Sequence, residues 1–281
     1  MVNVINPGIY STIQDLGRFG FQNYGVPISG VMDNYSAKLA NNILNNDEND
    51  AVLEITIKGP TLKFQTNAVI CLTGADLSPK INNVPTVNFK PILIKKGDVL
   101  SFGRLNHGVR CYLAVLDGFQ TPLVMKSRSM YKNVTDSFVL NKNDVLPIKK
   151  ISKELDFNPI EFNNDYFETE VIEVYKGPEF DKLSEDEQNK LLTQRFTISK
   201  NNNRMAYQLN ELLENKLQPI ITSLVMPGTV QLTPSGTLII LMRDCQTTGG
   251  YPRVLQLSEQ GNNTLAQKFT NNTIEFKLLA H

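Results

Sequence analysis

The sequence predicts a mainly β protein in two halves of barrel or sandwich type, and three observations carry that expectation. Short runs rich in Val, Ile, Leu, Thr and Phe recur between Gly, Pro, Asn and Asp, with about 8–12 residues from one turn signal to the next. Helical periodicity is confined to two stretches. A polar segment poor in strand formers, 149–165, separates the halves of a 281-residue chain, which is long enough for two domains of ordinary size.

The first half offers strand runs at 51–57, 61–64, 68–73, 92–94, 99–102, 110–116 and 144–147. The second repeats the style at 171–175, 195–199, 230–233, 237–242 and 254–257. This spacing favours barrels or sandwiches over βαβ units, which would place a helix after each strand. Asp33 precedes Leu39, Ala40, Ile43 and Leu44 at helical spacing and is expected to cap that helix. Ser184-Glu185-Asp186-Glu187 is a capping-box pattern leading into 188–194, with Leu191 and Leu192 as apolar anchors. Both helices are expected to cover barrel ends. A strand running into Lys58-Gly59-Pro60 after Glu54 is echoed by Glu173 and Lys176-Gly177-Pro178. Two related β domains and a chance match of a short string both explain the echo. The expected domains are 1–160 and 161–281, with exchange of strands across that boundary allowed.

Apolar residues make up 41% of the chain and charged residues 20%, a globular balance. The 28 basic and 28 acidic side chains cancel, and no stretch is dense in Lys or Arg. Nucleic acid and membrane surfaces are therefore not expected partners. The N-terminus lacks the basic start and apolar run of a signal peptide, and no run approaches the ~20 apolar residues of a membrane span. Cys71, Cys111 and Cys245 are odd in number and far apart, which suits small buried side chains rather than a disulfide framework or metal knuckle. A soluble, cytoplasmic chain is expected.

Absences narrow the chemistry. There is no G-x-x-x-x-G-K-[ST] phosphate loop and no Rossmann glycine fingerprint. The two histidines are His107, in a turn-like stretch, and His281, the last residue, so neither a triad nor a histidine metal site is expected. Catalysis falls to carboxylates, arginines, amides and backbone groups.

Four clusters carry what remains. Gln14, Asp15 and Arg18 lie within five positions, where Arg18 offers a planar donor fork and Asp15 either orients it or accepts a proton. The alternative is a local Asp–Arg pair stapling the N-terminal strand. The stretch from Gly25 through Pro27 and Gly30 to Met32 and Asp33 reads as a turn before a helix, with Asp33 as cap or ligand residue. Thr73, Gly74 and Asp76 end a strand in a small-residue turn, open to a ligand or occupied by an ordinary turn aspartate. The fourth cluster, Asp244-Cys245-Gln246-Thr247-Thr248-Gly249-Gly250-Tyr251-Pro252-Arg253, is a polar loop leaving a core strand, a common way to build a binding site. Asp244 there is a candidate base or acceptor. The same carboxylate raises a neighbouring thiol's pKa and disfavours Cys245 as nucleophile.

Taken in order, these clusters resemble one family over 8–267: Thr12–Arg18, the turn before Asp33, Glu54 with its Gly59-Pro60, Leu72–Asp76, Gly108–Val115, Asn203-Arg204-Met205, Pro227–Gly236 and Asp244–Arg253. It is the biotin-dependent carboxyltransferase-like family, also called allophanate hydrolase subunit 2. The resemblance implies two cyclophilin-like β-barrel domains with a few short covering helices. As activity it implies the part of the C component in an ATP-dependent, three-component 5-oxoprolinase, which opens the lactam of 5-oxoproline (pyroglutamate) to glutamate. The B component is then the direct partner and the A component a functional one, and ATP is bound by the complex or by this chain. The family offers two alternatives. One is a biotin-dependent carboxyltransferase working on a urea-like amide; the other is a non-catalytic regulator that binds a kinase-inhibitory homologue of the B component. The implied catalytic residues are Asp15, Arg18 and Asp244. Ligand contacts are implied at Gln14, Met32, Asp33, Glu54, Gly74 and Asp76 from the first half. From the second half they are Arg204, Gln231, Thr248, Gly249, Gly250, Tyr251 and Pro252, with no metal and with both sets lining one cleft. Departures from the family pattern include a glycine-free 130–136 and Asp117-Gly118 where two glycines are usual.

Overall fold

The computed structural model describes residues 1–151 and 165–280 of the chain, so the expected boundary at 160 and His281 lie outside the described residues. The chain divides into two compact units. The first is Met1–Phe19 with Ser29–Asn163, and the second is Gly20–Ile28 with Asn164–His281. Mainly β structure is present in both.

The first unit holds two sheets over one core. A six-stranded sheet runs Val145–Leu146, Val2–Asn6, Thr61–Phe64, Val99–Ser101, Lys80–Ile81, Val84–Pro85. A five-stranded sheet runs Tyr10–Gln14, Val52–Thr56, His107–Val115, Ala68–Asp76, Ile92–Ile94. Alternation along the strands decides what each face does. Ile13, Leu53, Ile55, Ile70, Leu72, Cys111, Leu113 and Val115 pack in one cluster with Val2, Val4, Leu62, Phe64, Leu100 and Leu146 of the other sheet. The intervening positions Val52, Val69, Cys71, Tyr112 and Ala114 face the opposite way and pack with Ala37, Leu39, Ala40, Ile43 and Leu44 at helix α1, Asn34–Ile43. Asp33 caps α1 as expected, its carboxylate accepting from Ser36 N at 3.0 Å.

That second face carries a polar row. The register places Thr12 opposite Glu54, Glu54 opposite Tyr112, and Tyr112 opposite Thr73. The row is buried, so its polar atoms need protein partners.

The second unit contains a closed seven-stranded barrel in the order Val171–Lys176, Arg253–Leu257, Thr229–Leu232, Leu238–Leu241, Ala206–Leu209, Phe196–Asn202, Thr273–Leu278. The last strand closes it, pairing parallel with the first and antiparallel with Phe196–Asn202. Helix α2, Glu185–Thr193, starts directly after Ser184, and both bonds of the capping box form: Glu187 N to Ser184 Oγ and Ser184 N to the Glu187 carboxylate. Helix α3, Glu259–Ala266, is a third helix where the sequence pattern predicts none, because its buried face is Gly261, Asn262, Asn263 and Thr264 as well as Leu265 and Ala266. Side chains so polar give no hydrophobic period to detect.

The strand expected at 68–73 continues to Asp76 through Gly74, which sits at φ +76°. A Cβ there would collide with the carbonyl of Arg110 on the neighbouring strand. Gly74→Ala is expected to lower unfolding free energy by about 2 kcal/mol or more, measured by urea denaturation; a loss below about 0.5 kcal/mol would contradict the steric account.

Candidate functional site

The expected site residues fall in two sets, one per unit. In the first unit the centre is the carboxylate of Glu54, which is fully buried. Its Oε2 accepts from Met32 N at 2.7 Å and from the Tyr112 hydroxyl at 2.9 Å, and Oε1 lies 3.9 Å from Arg110 Nε. Tyr112 in turn accepts from Asp33 N at 2.8 Å. Burial, and then the charge of Glu54, hold the Tyr112 hydroxyl well above the usual phenol range, so it stays protonated and donates. Thr73 Oγ1 donates to Ser36 O at 2.7 Å, tying the same helix start to the sheet. The arrangement clamps Met32 and Asp33 by main-chain contacts. Tyr112 and Arg110 escape sequence reasoning because they lie among the apolar residues Val109, Cys111, Leu113, Ala114 and Val115 of one strand.

Asp15 and Arg18 both converge on residues 124–129. The Asp15 carboxylate accepts from Ser127 Oγ at 2.7 Å, Ser129 Oγ at 2.6 Å, Arg128 N at 2.6 Å and Gly17 N at 2.9 Å. Arg18, fully buried, donates to Val124 O at 3.0 Å and Ser129 O at 2.8 Å. With its lone pairs taken by this many donors, the Asp15 carboxylate holds this segment in place. The strap it holds is a tight hairpin: Val124 and Ser127 exchange backbone bonds at 2.8 and 3.2 Å, with Met125 and Lys126 both at positive φ. A depression of about 280 Å³ lies against Arg128 and Met130. Gln14 is fully buried, its Nε2 donating to Thr12 Oγ1 and Met130 O at 3.1 Å each. Asp76 accepts from Ser78 N and Asn106 Nδ2, both at 2.8 Å, the pattern of a turn aspartate.

In the second unit Arg204 and Asp244 form a bidentate pair, Nε to Oδ2 at 2.8 Å and Nη2 to Oδ1 at 3.1 Å, with side chains only 6% and 11% exposed. Asp244 N also donates to Arg204 O at 2.9 Å, so the pair fixes the exit of the core strand Leu238–Leu241. The loop beyond it is braced on its far side. Thr248–Gly249 pairs with Ser223–Leu224, and Ile220 N donates to Gly250 O at 2.9 Å. Gln231 Nε2 reaches Tyr251 O at 3.4 Å and lies so close over Gly249 that a Cβ there would collide with it. Pro252 is buried and its carbonyl accepts from Leu232 N, while Thr248 and Tyr251 are exposed. Cys245 beside Asp244 is pushed up to about 12, first by burial and then by that carboxylate, which removes it as a thiolate nucleophile at neutral pH.

A cavity of about 500 Å³ opens in the same unit against Thr247, Arg253, Leu224, Met226 and Ile28, a volume in the range of small-molecule sites. Its cation is committed: Arg253 forks onto Glu179 at 3.0 Å through both Nε and Nη2, and its Nη1 donates to Leu224 O at 3.1 Å. The fork holds the Glu179 carboxyl below its ordinary value. Three of the five Arg253 N–H donors are used in this way. Among the described residues no group of three or more His, Cys, Asp or Glu side chains is placed to hold a metal ion.

Comparison with known proteins gives the class of protein, a carboxyltransferase-type domain. The chain belongs to that family: the description "Carboxyltransferase domain, subdomain A and B" matches residues 24–278. The chain is similar to the C component of the Escherichia coli 5-oxoprolinase, 32% identical over 98% of this chain and 90% of the relative. It is likewise similar to the C component of the Haemophilus influenzae 5-oxoprolinase, 30% identical over 100% and 92%. Among solved structures, the K. lactis urea amidolyase superposes with a TM-score of 0.89 at 27% identity, over 99% of this chain and 19% of that protein. The chain thus spans about a fifth of that larger protein.

Neutralising Asp244 removes the carboxylate charge from the bidentate pair with the buried Arg204. Asp244→Asn is expected to cost about 3 kcal/mol of stability, read from the urea midpoint; a change within about 0.5 kcal/mol would show the pair to be dispensable.

Proposed function

We propose that the chain acts as the C component of an ATP-dependent 5-oxoprolinase, opening the lactam of 5-oxoproline to glutamate together with the A and B components. The observation that carries this reading is the end-to-end similarity to two proteins of that name, covering at least 98% of this chain and at least 90% of theirs. The chemistry is compatible with it. A lactam presents a planar N–H and C=O, for which buried amides, hydroxyls and main-chain groups are suitable readers. The exposed Thr248 hydroxyl offers such a group on a loop with fixed geometry.

In this reading Asp15, Arg18 and Asp244 are positioning residues. They hold the 124–129 strap and the 244–252 loop, while substrate is contacted by the groups those segments present. ATP is assigned to the complex, and the direct contact is with the B component. ATP would supply activation of the lactam carbonyl.

A second reading, transfer of a carboxyl group from a biotin carrier to a urea-like amide, is favoured by the likeness to the K. lactis urea amidolyase. One assay separates the two. The purified chain with its A and B components is expected to release glutamate from 5-oxoproline only when ATP is present, and avidin is expected to leave the rate unchanged. No release from a correctly assembled set would overturn the first reading, and avidin inhibition would favour the second.

A further inference from the structure

The depression beside the 124–129 strap holds charges that the anchoring of the strap does not use. Its lining includes one guanidinium, Arg128, and two carboxylates, Asp136 and Asp144. None of the three is in an ion pair with a described residue. Arg128 spends two of its five N–H groups, one on the Thr121 carbonyl and one at 3.4 Å from Gln120 Oε1. Asp144 accepts from Asn141 N at 2.7 Å through Oδ2, which leaves Oδ1. The exposed Asp136 carboxylate makes no hydrogen bond to a described residue. Thr121 lines the same depression, is 9% exposed, and its buried Oγ1 has no hydrogen-bond partner. A hydroxyl desolvated without return weakens the fold unless something else meets it. The walls are braced. Gln120 N donates to Pro147 O at 2.8 Å, and Met130 N to Ile13 O at 2.9 Å. Thr135 Oγ1 contacts Tyr131 O at 3.1 Å and Ser137 O at 2.7 Å, which holds the glycine-free stretch in shape.

Opposite charges that share a cavity without pairing restrict what can enter it. A simple anion would face two carboxylates, and a simple cation would face the guanidinium. A molecule carrying both an ammonium and a carboxylate matches all three. Arg128 is bonded to the Thr121 carbonyl, so the unsatisfied Thr121 hydroxyl lies at the guanidinium end, where it can donate to a carboxylate. The volume of about 280 Å³ falls just under the ~300–1,000 Å³ of drug-sized sites, which suits a smaller molecule. Val124, Met130, Leu146 and Pro147 give the depression apolar wall. We propose that this depression binds a free α-amino acid with an apolar side chain, its carboxylate on Arg128 and Thr121 and its ammonium on Asp136 and Asp144. Two acids against one base disfavour a further acidic group on the ligand. Nothing in this assignment depends on which reaction the chain serves.

The test is calorimetric titration of the full purified chain with L-leucine, N-acetyl-L-leucine and L-leucinamide. The acetylated form lacks the ammonium, as the end of a peptide chain would, and the amide lacks the carboxylate, as the start of one would. L-leucine is expected to bind, and each blocked form at least about tenfold more weakly, because one charged end is left unmatched. Asp136→Asn and Thr121→Val are expected to hold or raise the thermal midpoint, since the first group makes no contact in the fold and the second is unsatisfied. Both are expected to weaken L-leucine at least about tenfold. L-leucine that fails to bind, a blocked form that binds equally well, or undiminished binding to Asp136→Asn would each overturn the proposal.

Discussion

A carboxylate sealed inside the first unit is the constraint around which its site is arranged. Glu54 sits in a row that runs Thr12, Glu54, Tyr112, Thr73 across the five-stranded sheet. Burying such a group is costly unless its lone pairs are satisfied. Here the satisfying donors are Met32 N and the Tyr112 hydroxyl, and Tyr112 also accepts from Asp33 N. Meeting the needs of one charge thereby fixes two consecutive backbone amides at the entry to α1. The sheet register, the helix cap and the turn before it are tied together by one polar contact set.

The same division between holding and presenting recurs elsewhere. Asp15 and Arg18 are turned inward, onto main-chain and hydroxyl groups of 124–129, and what they present is a hairpin tip. Asp244 is turned inward onto Arg204, and what it presents is the Thr-Thr-Gly-Gly loop. The charged residues that attract attention in the sequence are the anchors. Under the proposed function, contact with substrate is left to quieter groups, amides and hydroxyls, which carry no pattern of their own.

That explains how much could be read from the sequence. The β class, the Asp33 cap and the Ser184 capping box were legible because each has a local physical signature: period-two alternation, or an acceptor two or three residues before orphan N–H groups. The clusters at 14–18 and 244–253 were legible as unusual polar runs beside strands. Their inward roles were not, since Ser127, Ser129 and Val124 are more than 100 residues from Asp15 and Arg18. The assignment of Gly20–Ile28 to the second unit was invisible for the same reason. Tyr112 looked like any core aromatic. Helix α3 went unseen because it buries Asn262 and Asn263 where a periodic stripe would carry Leu.

Amide hydrogen exchange on Tyr112→Phe tests the central claim most directly, because the change deletes one hydroxyl and leaves the ring in the core. The account predicts that protection of the Met32 and Asp33 amides falls by about tenfold or more, while Leu232, paired to Pro252 in the other unit, keeps its protection. Unchanged exchange at Met32 and Asp33, or an equal loss at Leu232, would contradict the claim that the Glu54–Tyr112 contact holds this loop.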